Sequence, residues 1–249
     1  MVMGKKILAI IPARGGSKGI PFKNLQKIGG RPLVKWALNT ALNTRGIDRI
    51  IVSTDSEKII RIAGRKYAPF KRPVELAADS TPSLPVFQHA LHWAEKEDKC
   101  IYKYIVVLEP TCPFRLPVHV RAGIDLAIKT NSSSIMSLVR VSNGHPVRIK
   151  RLSPNRKIRP FCIPEPEGLR RQDQEPAYIR NGAVYVFKRE TIVNNRLWGD
   201  NPYGFEMDRK LYGINIDEPL DLMLAREFYS AMKKENRLNL IDSFVQGGR

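Results

Sequence analysis

The segment Ile11-Pro12-Ala13-Arg14-Gly15-Gly16-Ser17-Lys18-Gly19-Ile20-Pro21-Phe22-Lys23-Asn24 concentrates the residue types that grip phosphate. Its three glycines let backbone N–H groups turn toward an anion and leave room for the oxygens. Arg14, Lys18 and Lys23 place three cations within ten positions, enough to offset most of a triphosphate's charge. The spacing is neither G-x-x-x-x-G-K-[ST] nor G-x-G-x-x-G, which excludes a Walker loop and a dinucleotide fingerprint. Far along the chain, Asp217 ends a strand pattern just before a helix pattern. A carboxylate there either caps the helix or holds Mg2+ beside phosphate oxygens. Asp221, one helical turn on, reads as structural, and Asp79 reads as a turn cap before the next helix. His89 and His92 lie three apart with no third ligand in view, so they read as solvated or core histidines.

These residues need elements to position them. Lys6-Ile7-Leu8-Ala9-Ile10-Ile11 is a nearly continuous apolar run, the pattern of a buried central strand, and the glycine loop leaves its C-terminal end. Open α/β sheets bind ligands at that end. A helix is predicted from near Pro32, carrying Leu33, Trp36, Ala37 and Ala41, followed by a strand over Arg49–Ser53. Further helices are predicted over Ser56–Tyr67, Pro85–Glu97, Pro117–Lys129 and Pro219–Lys234. Strands are predicted over Tyr104–Leu108, Ile135–Val139, Ala183–Phe187 and Leu211–Ile216. This alternation predicts an α/β protein with a doubly wound, mostly parallel sheet in three α/β/α layers. Residues 143–176 break the rhythm with several prolines and many basic residues, and their apolar anchors predict an excursion of extended strands. The tail after Lys234 is expected to be loosely held.

Length and composition set the outer bounds. The 249 residues are 43% hydrophobic, far too apolar for a disordered chain, and suit one α/β domain over 1–249. No apolar run approaches the ~20 residues of a membrane span. Cys100, Cys112 and Cys162 form no CxxC spacing and cannot all pair, so a reducing cytoplasm is expected. The formal net charge is +18, and the partner should therefore be negative. Residues 1–47 carry nine Lys/Arg and no acid, and residues 140–173 carry nine against three acids. Those two segments account for 15 of the 18 charges. A nucleic-acid binder would interleave basic and aromatic residues along one face, whereas the aromatics here are scattered. Specific nucleic-acid binding is accordingly the alternative from a different class, and no membrane partner is expected.

The phosphate-gripping segment resembles the signature of the acylneuraminate cytidylyltransferases, the synthetases of CMP-sialic acid and related CMP-nonulosonates. Four more segments are similar to motifs of that family, in family order. They are Arg72–Thr81, Leu108–Arg115, Arg170–Asp173 followed by Tyr178–Tyr185, and Asn215–Leu222. The resemblance implies a nucleotide-diphospho-sugar transferase-like fold with a small extended dimerisation arm. It implies transfer of CMP from CTP to the anomeric hydroxyl of a nonulosonic acid, releasing pyrophosphate, with Mg2+ or Mn2+ as cofactor. By motif position, Arg14, Gly15, Gly16, Ser17, Lys18 and Lys23 would hold phosphates. Asn24, Arg72 and Ser83 would contact the cytidine, and Asn181 and Tyr185 would line the sugar pocket. Lys23, Arg171 and Asp217 would be catalytic, with Asp217 and Asn215 at the metal. The arm at 143–176 would join a homodimer and carry Arg171 toward the partner's sugar pocket.

Two positions depart from the family pattern. Glu109 stands where Gln is usual, near the expected base, ribose or metal, and Asn215 stands where many members have a second Asp. A carboxylate at 109 pairs well with the N–H donors of guanine. A GTP-using legionaminic acid guanylyltransferase of the same fold is therefore the nearer alternative. Cys112 replaces a usual Ser and reads as a small packed residue.

Overall fold

The computed structural model describes residues 6–141 and 144–235. The chain opens with strand β1 (Ile7–Pro12), whose five leading residues are all buried. Two-residue strands β2 (Lys27–Ile28) and β3 (Arg31–Pro32) form a small antiparallel ribbon before helix α1 (Leu33–Leu42). Then come β4 (Arg49–Ser53), α2 (Glu57–Ala63), α3 (Ser83–Asp98), β5 (Tyr104–Val107), α4 (Pro117–Thr130) and β6 (Ser134–Arg140). The excursion forms a hairpin of β7 (Lys150–Leu152) and β8 (Ile158–Pro160). The chain returns through β9 (Tyr178–Lys188), α5 (Arg189–Val193), β10 (Pro202–Glu206), α6 (Arg209–Tyr212) and α7 (Pro219–Lys234).

The main sheet has the order β10-β6-β9-β5-β1-β4. β4 and β5 flank β1 in parallel, β10 runs parallel to β6, and β9 alone is reversed, antiparallel to both β5 and β6. Alternating side chains of β1 serve the two faces. Ile7, Ala9 and Ile11 pack with residues of α1, α2 and α4, while Leu8 and Ile10 pack with α3 and Ile192 of α5. This makes three layers, as the apolar runs predict. Each fully buried Ile or Leu contributes roughly 1.5–3 kcal/mol relative to exposure, so the central strands anchor everything attached to their ends. A third cluster joins α7 to Ile28, Leu33, Trp36 and Phe114, which ties the closing helix to the loops near the β1 end.

Three local readings change. The helix from Ser56 stops at Ala63, because Gly64 takes φ +85° and ends it; Tyr67 instead offers its carbonyl to Val52 N of β4. The strand expected over Leu211–Ile216 is instead the short helix α6 followed by irregular chain. Asp208 accepts a hydrogen bond from Lys210 N and caps that helix, and β10 already occupies the edge of β6. β10 itself was not foreseen. Its Gly204 lets the backbone come close to β6, where a Cβ would sit 2.6 Å from Leu138. Within 144–176 the extended excursion is present as an exposed hairpin. The expected loose tail beyond residue 235, and residue 143 at the start of the arm, lie outside the described residues.

Candidate active site

The chain runs from β1 to β4 on one side and then to β5 on the other, so the sheet's switch point lies between β1 and β5. Loops leaving the C-terminal ends of these strands define a crevice there. The loop after β1 is pinned from below. Gly15 N donates to Asp55 Oδ1 at 2.8 Å, and Asn24 Nδ2 donates to the Arg14 carbonyl at 2.9 Å. Gly15 has no room for a side chain, since a Cβ would lie 2.9 Å from Ser56 Cβ. Gly16, by contrast, faces open space. At Gly19 the loop presses on the far wall, where a Cβ would sit 2.8 Å from the Asp217 carbonyl.

A cavity of about 380 Å3 opens in this crevice. It brings together Arg14, Lys23, Asn24, Arg72, Ser83, Glu109 and Asp217 from five separate parts of the sequence. Lys23 Nζ sits 3.0 Å from Asp217 Oδ1 and donates to the Ile216 carbonyl at 3.1 Å. Asp217 is anchored by Asn215, whose Nδ2 donates to its other oxygen at 2.8 Å, yet the carboxylate stays 62% exposed. The cap of α7 is Glu218, and Asp221 Oδ2 accepts from the backbone N–H groups of both Asp217 and Glu218. Asp221 is thus structural, and Asp217 is left free of capping.

Arg72 is buried beside the cavity, its guanidinium donating to the Ser53 hydroxyl at 3.0 Å and to the Ser53 carbonyl. Burial lowers its pKa to about 10, against the opposing charge of Asp55. Glu109, at the exit of β5, accepts from Cys112 N through its carbonyl, while its carboxylate makes no hydrogen bond or ion pair among the described residues. Burial raises its pKa, with the Arg115 cation pulling the other way. Arg115 lies wholly in the interior, donates to the Ala183 carbonyl at 3.0 Å, and leaves Nε and Nη2 without partners. Cys112 is buried with its thiol pushed up to about 12, the state of a packed residue rather than a nucleophile.

The other expected positions fall elsewhere. Asn181 is buried and committed internally: its Oδ1 accepts from Ser137 Oγ at 2.6 Å and its Nδ2 donates to the Tyr212 carbonyl at 3.1 Å. Tyr185 stacks against Phe187 with ring centroids 6.1 Å apart, and burial raises its pKa. Arg171 is exposed and lines a second, larger cavity of about 1190 Å3 with Arg140, Arg209, Lys210, Glu206 and Asp208. Gly213 and Ile214 also line that cavity, so the short segment 213–217 contributes to both linings. His89 packs edge-on against Phe70 at 4.8 Å and is half-buried, and His92 is exposed. Asp79 caps no helix. It ion-pairs with Arg14 at 2.6 Å and with Lys18 at 3.5 Å. Sequence reasoning missed Asp55, although its place just past the C-terminal end of a parallel strand was a usable signal.

A glycine-rich, cationic loop thus stands at the switch point of a mixed α/β sheet, opposite the Asp217 carboxylate on the next wall. Residues 8–122, just under half of the chain, match the family model for cytidylyltransferases. It is 30% identical over 230 residues to N-acylneuraminate cytidylyltransferase A of Danio rerio, covering 90% of this chain and 50% of that one. It is 29% identical over 243 residues to CMP-N,N'-diacetyllegionaminic acid synthase of Campylobacter jejuni, covering 92% and 96%. The chain thus spans about half the length of its fish relatives and nearly all of the Campylobacter one. Its fold is similar to the solved structure of a CMP:2-keto-3-deoxy-manno-octonic acid synthetase complexed with CTP. The TM-score is 0.66 at 18% identity, over 92% of this chain and 99% of that one. No helix among the described residues is long and apolar enough to cross a membrane.

Proposed function

We propose that the chain transfers CMP from CTP to the anomeric hydroxyl of a nonulosonic, sialic-type acid and releases pyrophosphate. The observation that carries this reading is the cavity at the β1–β5 switch point, where Arg14 and Lys23 converge with Asn24, Arg72, Ser83 and Asp217. The relatives named for CMP-sialic and CMP-legionaminic acid synthesis support the acceptor class. Lys23 and Arg14, with Lys18, face the negative charge that builds on the leaving pyrophosphate, while Asn24, Arg72 and Ser83 border the space for the nucleoside. Catalysis of this kind rests on positioning and charge compensation. The larger cavity, with Arg140, Arg171, Arg209 and Lys210 along it, suits an acidic sugar.

A divalent cation, Mg2+ or Mn2+, belongs to this chemistry. Among the described residues no three His, Cys, Asp or Glu side chains cluster to hold one. The oxygens of Asp217 and Asn215 nevertheless fit a hard cation that takes its remaining ligands from phosphate and water. Asn215 turns its Nδ2 to Asp217 and its Oδ1 to the Cys112 thiol at 3.4 Å, so its amide must swing round to offer oxygen to an ion beside Asp217. Asp217 and Asn215 would hold the ion, which when bound draws charge from the phosphates; Lys23 keeps Asp217 oriented for it.

The arm over 143–176 serves a homodimer in this reading, in the cytoplasm. Leu152, Ile158 and Phe161 stand exposed on it, an apolar set suited to a second copy, and Arg171 lies at its base. The deciding assay is pyrophosphate release with CTP, Mg2+ and a panel of nonulosonic acids, repeated with GTP. Turnover with CTP and one of the acids is expected. Strong preference for GTP would move the activity to the guanylyl alternative that Glu109 allows, and RNA binding without pyrophosphate release would replace enzyme by nucleic-acid binder.

A further inference from the structure

The cations of the glycine loop do not stand free. Arg14 turns its whole fork onto one short segment, Nη2 to Asp79 Oδ1 at 2.6 Å and Nη1 to the Ala78 carbonyl at 3.3 Å. Lys18 reaches the other oxygen of the same carboxylate at 3.5 Å. Ala78 and Asp79 both line the nucleotide cavity, so this carboxylate occupies its mouth. The segment is held by its own bonds: Ala77 N donates to the Val74 carbonyl, Thr81 N to the Ala78 carbonyl, and Thr81 Oγ1 to the Glu75 carbonyl. Its link to the glycine loop runs through the Asp79 carboxylate and the Ala78 carbonyl. The contacts are also wet, with side chains 33% exposed for Arg14, 83% for Lys18 and 36% for Asp79. Ion pairs of that exposure are individually weak and exchange readily for a stronger anion.

Resting on the cytidylyltransfer reading, we propose that Asp79 is a built-in counter-anion. It holds Arg14 and Lys18 in place, gives them up to the phosphates of the arriving nucleotide, and takes them back as pyrophosphate leaves. A single carboxylate carries one negative charge against the three or more of a polyphosphate, so the exchange favours the nucleotide on entry. Once the bond to CMP is made, the same carboxylate competes with pyrophosphate for both cations. Asp79 thereby trades nucleotide affinity for product release.

The test is calorimetric binding of inorganic triphosphate and of pyrophosphate, at low salt, to the wild-type chain and Asp79→Asn. The variant is expected to bind both about fivefold more tightly, roughly 1 kcal/mol. Inhibition of turnover by pyrophosphate should strengthen by the same factor, and the KM for CTP should fall without a rise in kcat. Glu75→Gln removes a carboxylate of the same segment that makes no ion pair among the described residues, and it should leave all of these constants unchanged. Equal or weaker anion binding by Asp79→Asn overturns the proposal, because a loop that merely lost its support would bind less well. An equal gain in Glu75→Gln also overturns it, by reducing the effect to the general field. Binding of triphosphate by neither protein removes the phosphate loop itself, and with it both this inference and the phosphate assignments of the proposed function.

Discussion

Replacing Lys23 separates its charge from its packing more cleanly than any other change in the cleft. Its ammonium touches two groups, the Asp217 carboxylate at 3.0 Å and the Ile216 carbonyl at 3.1 Å, and its side chain is only 18% exposed. Asp217 is 62% exposed, so water screens the pair and its contribution to folding is at most ~1 kcal/mol. In a chain of this size that is a fall of about 2–4 °C in melting temperature. The catalytic effect should be far larger. A preorganised charge aimed at developing negative charge in a partly dry cleft is worth roughly 2.7–4 kcal/mol, a factor of about 100–1000 in rate. Lys23→Met, which keeps the stem and deletes the charge, should therefore cut pyrophosphate release by that factor while the chain melts almost normally. The pair of measurements is steady-state turnover with saturating CTP and a thermal melt. Turnover within fivefold of wild type would refute the role of this charge. A collapse of the melting temperature would recast Lys23 as a strut between the glycine loop and the 213–217 wall.

Other outcomes follow from the same geometry. Gly182→Ala forces a residue with φ +73° to carry a Cβ 3.0 Å from Glu109 Oε2 and 3.2 Å from Cys112 Sγ; it should cost about 1–3 kcal/mol in denaturant unfolding and lower activity further. Asp55→Ala removes the acceptor of Gly15 N and should raise the KM for CTP several-fold at nearly constant melting temperature. His119 is held at about 4 by burial, while its ring nitrogen accepts from Leu116 N. The unfolded chain therefore binds the extra proton between about 6.5 and 4. Stability present above that window is lost as pH falls through it, and His119→Gln should flatten the acid side of a melting-temperature profile. Added salt should raise the KM for the acidic sugar more than that for CTP. Arg14, Lys18 and Lys23 already face carboxylates, whereas Arg171 makes no ion pair among the described residues.

The strands of the fold were legible because burial on both faces writes itself as an unbroken apolar run. β4 falls on Arg49–Ser53 as expected, and α7 on Pro219–Lys234. β10 was not legible: Pro202, Gly204 and Glu206 lower its strand propensity, and its place at the edge of β6 is a tertiary fact. The reversal of β9 was equally hidden, since side-chain alternation reads the same in either direction. At the cleft, the glycine loop announced itself by composition, whereas the partners of its cations did not. Asp79 is more than sixty positions from Arg14, and its sequence neighbourhood offered only a turn. Asn181 carries the opposite lesson. A polar side chain inside a motif looked ready for a ligand, yet the fold uses it to brace β6, β9 and the end of α6.

Each of the two cavities draws a wall from one short segment, 213–217. Gly213 and Ile214 face the larger cavity with Arg171, while Asp217 faces the smaller one with Lys23. In the proposed transfer an in-line attack needs the acceptor oxygen and the α-phosphorus to meet, and a segment that contributes to both linings would flank that meeting point. The wall is fixed there from both sides. Ile216 N donates to the Thr111 carbonyl of the β5 exit loop, and Asp221 holds the backbone N–H groups of Asp217 and Glu218 at the start of α7. Gly19 of the phosphate loop closes on the Asp217 carbonyl from the third side. A carboxylate whose backbone is held by three elements while its oxygens remain exposed is positioned without being consumed. That separation of support from chemistry is what Asn181 and Asp221, fully committed to internal bonds, do not have.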